Sequence, residues 1–232
     1  MIGILDSGMG GLTTLAALAK EGCDSAFCYY ADTANAPYGN KNKTEVKEAV
    51  GRAAEALVGR GAERIVVACN TASLVALKQV RCTINVPIYG VTPPVEEALK
   101  RGGYTLLLGT ALTCRNYKNR AGFLSLAMPE LATIIDRDYP DTVGAEAYCR
   151  QRLKDVGAVD NLMLGCTHYV LIEDILRRLT EAKRVWNGYE ELAKRMEKTD
   201  ASASELAIDF IGSGEIDIAR YKEVARLLCS RR

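Results

Sequence analysis

The sequence has little of what metal sites and small secreted domains require. It contains a single histidine in 232 residues, and its eight cysteines include no Cys-x-x-Cys pair. A zinc site usually needs several such ligands at short spacing, so we expect no bound metal. Disulfide frameworks belong to small secreted chains without a core, whereas this chain is long enough to bury one. We therefore expect reduced thiols.

Aromatic side chains and excess charge are scarce as well. Aromatic residues make up 6% of the chain, and 30 basic and 29 acidic residues leave a formal net charge of +1. This composition predicts neither a base-stacking platform nor a cationic surface, so we expect no nucleic-acid partner. The sequence also shows no signal peptide and no apolar run of membrane-spanning length. We expect a cytoplasmic protein that has no membrane partner and acts on a small molecule.

Short apolar runs alternate with helical patterns along the chain. The predicted strands are Ile2–Leu5, Ala26–Ala31, Arg64–Ala68, Val86–Tyr89, Tyr104–Leu108, Ala132–Ile135 and Asn161–Leu164. The predicted helices are Leu12–Glu21, Lys43–Arg60, Ala72–Arg81, Val95–Arg101, Arg115–Ala127, Thr142–Val156 and Val170–Lys183. This alternation predicts an α/β fold with parallel sheets covered by helices on both faces.

A break in the pattern is predicted at Gly90-Val91-Thr92-Pro93-Pro94. The simplest arrangement is two similar α/β units that face each other across a cleft. The first unit is expected to comprise residues 1–91 and 204–232, and the second residues 92–203. The stretch from Ser204 is predicted to be helical, and its last helix, Ile216–Cys229, is expected to pack on the first unit.

Cys69 and Cys166 each follow an apolar run and precede small polar residues that open a predicted helix. Unpaired N–H groups at a helix N-terminus favour a thiolate or a bound carboxylate. Two such thiols suit the removal of a proton from one face of a carbon atom and its delivery to the other. The alternative is two inert buried thiols. His168, two residues after Cys166, favours the catalytic interpretation.

The segment Asp6-Ser7-Gly8-Met9-Gly10-Gly11-Leu12 follows the first predicted strand and suits a tight turn near an anion. It departs from a dinucleotide-binding fingerprint, because Thr13 stands where the last glycine belongs. Asp6 would also repel a phosphate, and it suits a substrate ammonium group or a position beside Cys69 better. The loop Asp32–Gly39 follows a strand too, which favours contact with substrate over an ordinary surface loop.

Four motifs, in this order, resemble those of the glutamate racemase family over roughly residues 1 to 180. They are Asp6-Ser7-Gly8-x-Gly10-Gly11-Leu12, Asp32-Thr33 with Pro37-Tyr38-Gly39, Ala68-Cys69-Asn70-Thr71-Ala72-Ser73 and Gly165-Cys166-Thr167-His168-Tyr169. The resemblance implies two pseudosymmetric α/β domains with the active site in the cleft between them. It implies racemisation of glutamate without a cofactor, with Cys69 acting on the D-enantiomer and Cys166 on the L-enantiomer.

The resemblance also implies the supporting and binding residues. Asp6 is implied to assist the first thiol and His168 the second. The residues implied to hold the carboxylates and the ammonium group of glutamate are Asp6, Ser7, Pro37, Tyr38, Gly39, Asn70, Thr71, Thr110, Thr113 and Thr167. A homodimer that supplies D-glutamate for peptidoglycan is the implied biological form.

Two departures from the family pattern keep alternatives open. Asp136 stands where the family has a glutamate, so a supporting acid is one methylene shorter, and Val170 replaces the usual proline. One alternative is a racemase or isomerase for another amino acid or diacid, such as aspartate. The other is a weakened homologue with a binding or regulatory role. A pyridoxal phosphate enzyme is not favoured, because no lysine lies in a suitable motif.

Overall fold

The strands form two separate parallel sheets. The computed structural model describes residues 1–23, 26–196, 198 and 206–230. Within those residues the strands are β1 (Ile2–Asp6), β2 (Ala26–Ala31), β3 (Arg64–Val67), β4 (Ile88–Gly90), β5 (Thr105–Gly109), β6 (Phe123–Ala127), β7 (Asn161–Gly165), β8 (Arg184–Trp186) and β9 (Ala207–Gly212). One sheet has the order β4-β3-β1-β2-β9 and the other the order β6-β5-β7-β8.

Helices connect consecutive strands, as parallel pairing requires. The α-helices of the described residues are α1 (Leu12–Lys20), α2 (Lys43–Gly59), α3 (Asn70–Thr83), α4 (Val95–Lys100), α5 (Ala111–Cys114), α6 (Leu131–Asp138), α7 (Val143–Leu153), α8 (Glu173–Leu179), α9 (Gly188–Arg195) and α10 (Ile218–Ser230). Short 3₁₀ turns cover Thr33–Asn35, Tyr38–Asn40 and Thr167–Ile172. The predicted α/β class with two parallel-sheet domains is therefore confirmed.

The inner strands explain the apolar runs of the sequence. Every residue of β1, β5 and β7 is buried, because helices cover both faces of each sheet. β1 pairs with both β2 and β3, and β5 pairs with both β6 and β7. As a result, the residues that follow β1 and β3 emerge at one edge of the first sheet, and those that follow β5 and β7 at one edge of the second.

The C-terminal part of the chain returns to the first sheet, but not as a helix throughout. Residues 204 and 205 lie outside the described residues, and Ala207–Gly212 forms strand β9, which pairs with β2. The helical prediction is wrong for this segment. α10 follows and packs against α1, in agreement with the predicted last helix. The domain boundaries given above, 1–91 with 204–232 and 92–203, stay a prediction.

Two other assignments are wrong. Ala132–Ile135, predicted as a strand, lies in helix α6, where Leu131, Ala132 and Ile135 form one buried face. Helical spacing of the buried residues outweighs the strand preference of the β-branched isoleucines there. Arg115–Ala127, predicted as a helix, contains no helical residue: α5 ends at Cys114, turns follow, and the segment closes as strand β6.

Strand β8 and helices α5 and α9 were absent from the predicted elements. The predicted helix Val170–Lys183 begins as the 3₁₀ turn that starts at Thr167, and only its middle part is α-helical. The other predicted elements agree with the structure to within a few residues. None of the described helices combines the length and the apolar character that crossing a membrane requires.

Candidate active site

Residues from the carboxyl ends of strands in both sheets enclose one small cavity of about 20 Å³. Its walls consist of Ser7, Pro37, Tyr38, Gly39, Cys69, Asn70, Thr71, Thr110, Ala132, Cys166, Thr167 and His168. All of these except Ala132 belong to the set predicted from the sequence. The other three predicted residues lie directly behind the wall, because Asp6, Thr113 and Asp136 hydrogen-bond to Thr167, Thr71 and His168, respectively.

Cys69 caps the N-terminus of α3 and is almost fully buried. Burial, followed by the nearby Asp6 carboxylate, raises the pKa of the thiol well above its usual value. The N–H groups of Ala72 and Thr71 lower this pKa, but by less. Desolvation therefore outweighs the helix N-terminus. Cys69 therefore carries its proton at neutral pH.

Asp6 ends β1 and is fully buried. Its Oδ1 accepts a hydrogen bond from the Gly8 N–H over 3.1 Å, and its Oδ2 accepts one from the Thr167 hydroxyl over 3.1 Å. Burial raises the pKa of Asp6 to about 6, while the charge of His168 and the two hydrogen bonds oppose this rise. Asp6 is thus a carboxyl group that exchanges protons near neutral pH.

His168 lies between Cys166 and Asp136. Its Nδ1 is 3.9 Å from Cys166 Sγ, and its Nε2 is 2.8 Å from Asp136 Oδ1. Burial lowers the pKa of His168, but the hydrogen bonds and charges of Asp136 and Cys166 together outweigh burial, so the pKa lies well above its usual value. A protonated ring donates from both nitrogens, one towards the sulfur and one to the carboxylate.

The Asp136 carboxylate is held by both domains. Burial raises its pKa, but the hydrogen bond and charge of His168 outweigh burial and lower the pKa below its usual value. The same Oδ1 accepts the Met9 N–H over 2.9 Å. Asp136 therefore links the second domain, which carries it, to the glycine-rich loop of the first.

The glycines after Asp6 allow the two domains to approach closely. A Cβ atom at Gly10 would lie 2.4 Å from Thr167 Oγ1 and 2.6 Å from His168 Nδ1, and one at Gly8 would lie 2.5 Å from Asp136 Oδ1. Neither position tolerates a side chain without movement of the wall. These glycines therefore serve the contact between the domains.

Three threonine hydroxyls form a buried cluster on one side of the cavity. Thr71 Oγ1 lies 2.9 Å from both Thr110 Oγ1 and Thr113 Oγ1, and the last two are 3.1 Å apart. Thr110 also caps α5 by accepting the Thr113 N–H. Such a cluster offers rotatable donors to a carboxylate oxygen.

Asn70 supplies an acceptor with no partner. It is 3% exposed and lines the cavity. Its Oδ1 is buried and makes no hydrogen bond to any residue that the structure describes. A buried polar atom left in this way costs roughly 1–3 kcal/mol, which a bound donor such as an ammonium group would recover.

The loop that contributes Tyr38 and Gly39 is held by a buried carboxylate. Asp32 Oδ2 accepts a hydrogen bond from the Tyr38 hydroxyl, and Oδ1 accepts one from Asn35 Nδ2 over 2.8 Å. Asp32 belongs to one of the four motifs, but this role in holding the loop was not predicted. The polar residues at spacings of three in Asp32-x-x-Asn35-x-x-Tyr38 are the signal that indicates this network.

Ala132 is the wall residue that sequence reasoning missed, because its segment was assigned to a strand. On α6 it precedes Asp136 by four residues, so both lie on the face turned towards the site. Among the described residues, no group of three or more His, Cys, Asp or Glu side chains is arranged to hold a metal ion.

The curated proteins most similar to this chain include glutamate racemases from several bacteria. The chain is 37% identical over 191 residues to the glutamate racemase of Halothermothrix orenii, covering 77% of this chain and 76% of that protein. It is 34% identical over 215 residues to the glutamate racemase of Campylobacter concisus, covering 84% and 80%. No protein-family model matches the chain.

Solved structures show the same fold. Glutamate racemase from Campylobacter jejuni superposes with a TM-score of 0.83 at 24% identity, over 100% of this chain and 99% of that one. Glutamate racemase from Thermus thermophilus, solved with β-chloro-D-alanine, gives a TM-score of 0.74 at 30% identity, over 99% and 91%. The two-domain fold and its similarities define an amino-acid racemase, an isomerase. The chain belongs to the glutamate racemase family.

Proposed function

We propose that this protein interconverts L- and D-glutamate by a two-base mechanism in which Cys166 and Cys69 act on opposite faces of Cα. The observation that carries the proposal is that both thiols line one cavity, although they come from different sheets. Each also has its own supporting acid, Asp6 near Cys69 and the Asp136–His168 pair near Cys166.

From L-glutamate, the Cys166 thiolate takes the α-proton, and the electron pair of the broken C–H bond passes into the α-carboxylate. The Cys69 thiol then gives its proton to the opposite face of Cα. The raised pKa of Cys69 keeps the thiol in the protonated form from which this step starts. The enzyme finishes with a Cys69 thiolate and a Cys166 thiol, which is the form required for D-glutamate. Proton exchange with solvent restores the starting form.

The cavity walls supply complementary groups for an amino acid with two carboxylates. The Thr71, Thr110 and Thr113 hydroxyls suit the α-carboxylate, where negative charge develops as the proton leaves. Asn70 Oδ1 suits the ammonium group. Ser7 and the Tyr38–Gly39 turn lie in the wall and suit the distal carboxylate.

The closed cavity is too small for substrate. A volume of about 20 Å³ holds roughly one water molecule, and glutamate is several times larger. We propose that the two domains separate to admit glutamate and close again around it. Closure excludes water and strengthens the hydrogen bonds to the developing charge.

The substrate is tested by incubating purified, reduced and dialysed protein with each enantiomer of glutamate and of aspartate, without any added cofactor. Circular dichroism and chiral chromatography follow the products. The proposal expects both glutamate enantiomers to reach an equal mixture, with aspartate converted far more slowly. Faster conversion of aspartate would identify the alternative diacid racemase, and binding of glutamate without conversion would identify the weakened homologue.

Family membership supports a role in the cell wall. We propose that the D-glutamate is made in the cytoplasm by a homodimer and is incorporated into peptidoglycan. Deletion of the gene should make growth depend on added D-glutamate, unless a second source exists in the cell. Light scattering during size-exclusion chromatography measures the oligomeric state, and a monomer that is fully active would contradict the dimer.

A further inference from the structure

Helix α6 carries both a wall residue, Ala132, and the acid Asp136, so its position determines the geometry around His168. The N-terminus of α6 follows strand β6, and its C-terminal cap is Tyr139, three residues after Asp136. The Tyr139 carbonyl lies at this C-terminal end of the helix. A group that binds this carbonyl therefore holds the end of α6 nearest to Asp136.

Arg220 of α10 binds this carbonyl. Its Nη2 and Nε donate to Tyr139 O over 2.8 and 3.3 Å, respectively. α10 packs on α1 in the first domain, whereas Tyr139 belongs to the second, so the contact joins the two domains. The neighbouring carboxylate of Asp138 is engaged by Arg137 over 2.6 and 2.7 Å, so Arg220 is directed at the carbonyl.

The next residue of α10 supports the other partner of Asp136. Tyr221 packs edge-on against Tyr29 with ring centroids 6.0 Å apart, and the Tyr29 hydroxyl donates to the Gly8 carbonyl over 2.7 Å. The Gly8 carbonyl and the Met9 N–H belong to the same peptide unit, and that N–H binds Asp136 Oδ1. The two neighbouring residues of α10 therefore support the two partners of the hydrogen bond between the Met9 N–H and Asp136. Arg220 supports the helix that carries Asp136, and Tyr221 supports the Gly8–Met9 peptide through Tyr29.

We infer that Arg220 is a positioning residue for the half-reaction at Cys166. It holds the C-terminal end of α6 so that Asp136 stays aligned on His168 Nε2, and His168 in turn stays directed at the Cys166 sulfur. The cation also favours the ionised form of Asp136, although burial and the hydrogen bond from His168 have larger effects on the pKa of that carboxyl. This inference rests on the two-thiol mechanism proposed above.

The inference predicts a kinetic signature that simple loss of stability does not produce. When the Cys166 step alone slows, breaking the labelled bond of α-deuterated L-glutamate becomes more rate-limiting, and the isotope effect on kcat rises. For α-deuterated D-glutamate the labelled bond breaks at Cys69, so the isotope effect falls. Partial unfolding would lower the concentration of active enzyme and leave both isotope effects unchanged.

The test compares Arg220→Gln, Arg220→Lys and Arg226→Gln. Arg226 is exposed on the same helix and serves as the matched control. Because small misplacements of catalytic groups cost up to about 10²-fold, we expect Arg220→Gln to lower kcat by about tenfold. Arg220→Lys should restore part of this loss, since a lysine still donates to the carbonyl. Arg226→Gln should match the wild type in both isotope effects.

A double variant tests whether Arg220 affects kcat through Asp136. In an Asp136→Asn background, Arg220→Gln should lower kcat by less than about twofold, because the group through which it acts has been removed. A full tenfold loss in that background, or isotope effects in Arg220→Gln equal to those of the wild type, would overturn the inference. A wild-type protein that fails to racemise glutamate would instead refute the proposed function, so the two failures are distinguishable.

Discussion

Thr167 Oγ1 donates a hydrogen bond to Asp6 Oδ2 over 3.1 Å, and thereby joins the residue after Cys166 to the carboxylate near Cys69. The Met9 N–H and Asp136 form the reciprocal contact over 2.9 Å. Each domain thus supplies a donor to the acid of the other. We therefore expect closure of the domains around substrate to complete both acid sites at once and to align both proton-transfer groups.

Replacing either catalytic thiol should abolish racemisation but preserve proton exchange at the thiol that remains. Cys69→Ser and Cys166→Ser should each lower kcat by several orders of magnitude, because a hydroxyl is a far poorer base than a thiol. Cys166→Ser should still exchange the α-proton of D-glutamate with solvent, and Cys69→Ser that of L-glutamate. Nuclear magnetic resonance in deuterium oxide measures the exchange.

Cys82→Ser is the control for these variants, because Cys82 is exposed on α3, away from the cavity. It should retain wild-type turnover. Near-normal turnover in both directions after loss of Cys69 or Cys166 would contradict the two-thiol mechanism.

His168 and Asp6 should affect opposite halves of the reaction. General acid–base assistance is typically worth about 10²–10⁴-fold, so His168→Asn and Asp6→Asn should both lower kcat strongly. With His168→Asn the α-deuterium isotope effect should rise for L-glutamate and fall for D-glutamate, and Asp6→Asn should show the reverse. The equilibrium constant fixes the ratio of kcat/KM in the two directions, so isotope effects carry the information. Unchanged turnover in His168→Asn would mean that this histidine only packs beside the site.

Asp6 should destabilise the folded protein at neutral pH. Burial raises its pKa from 3.8 to about 6, so Asp6 favours folding below about pH 4, and this contribution is lost as the pH rises through 6. Asp6→Asn should therefore increase the free energy of unfolding above pH 6, by at most about 3 kcal/mol, and the gain should disappear towards pH 4. Urea denaturation at several pH values measures the difference.

In the same experiment, Asp136→Asn should change the free energy of unfolding in the opposite direction from Asp6→Asn. The pKa of Asp136 is lowered in the folded state, so its carboxylate stabilises the protein above the unfolded pKa, and this contribution is lost as the pH falls. Its replacement should lower the free energy of unfolding at pH 7 and have less effect in acid. An Asp6→Asn protein that is less stable than the wild type at every pH would refute the electrostatic account.

Glycine at position 10 should be indispensable. Gly10→Ala places a methyl group 2.4 Å from Thr167 Oγ1, so either the domains separate or the Thr167–Asp6 contact breaks, and kcat should fall by at least about 10²-fold. Gly51→Ala is the matched control, because a Cβ atom there meets nothing within 4 Å and the residue lies inside α2. That variant should remain active and gain about 0.5–1 kcal/mol in unfolding free energy. Normal turnover in Gly10→Ala would show that close contact at this loop is unnecessary.

The sequence predicted the strand ends better than the contacts between them. Cys69 and Cys166 were located because an apolar run that is buried on both faces stops where polar residues begin, and this signal is local. The helix containing Ile134 and Ile135 was mistaken for a strand because its amphipathic face becomes evident only when it packs. The contacts of Asp136 with Met9 and of Arg220 with Tyr139 join residues more than 80 positions apart. No local pattern encodes such contacts, so they required the structure.

The most direct test of the two-thiol mechanism is the distribution of deuterium early in the reaction of L-glutamate in deuterium oxide. The enzyme is first dialysed against a chelator and assayed without pyridoxal phosphate or nicotinamide cofactor, and mass spectrometry compares the product with the remaining substrate. Because one thiol removes protium and the other delivers a solvent-derived deuteron, D-glutamate should be fully labelled at Cα while the remaining L-glutamate is still unlabelled. Equal labelling of both enantiomers at early conversion, or D-glutamate that retains its protium, would contradict the mechanism.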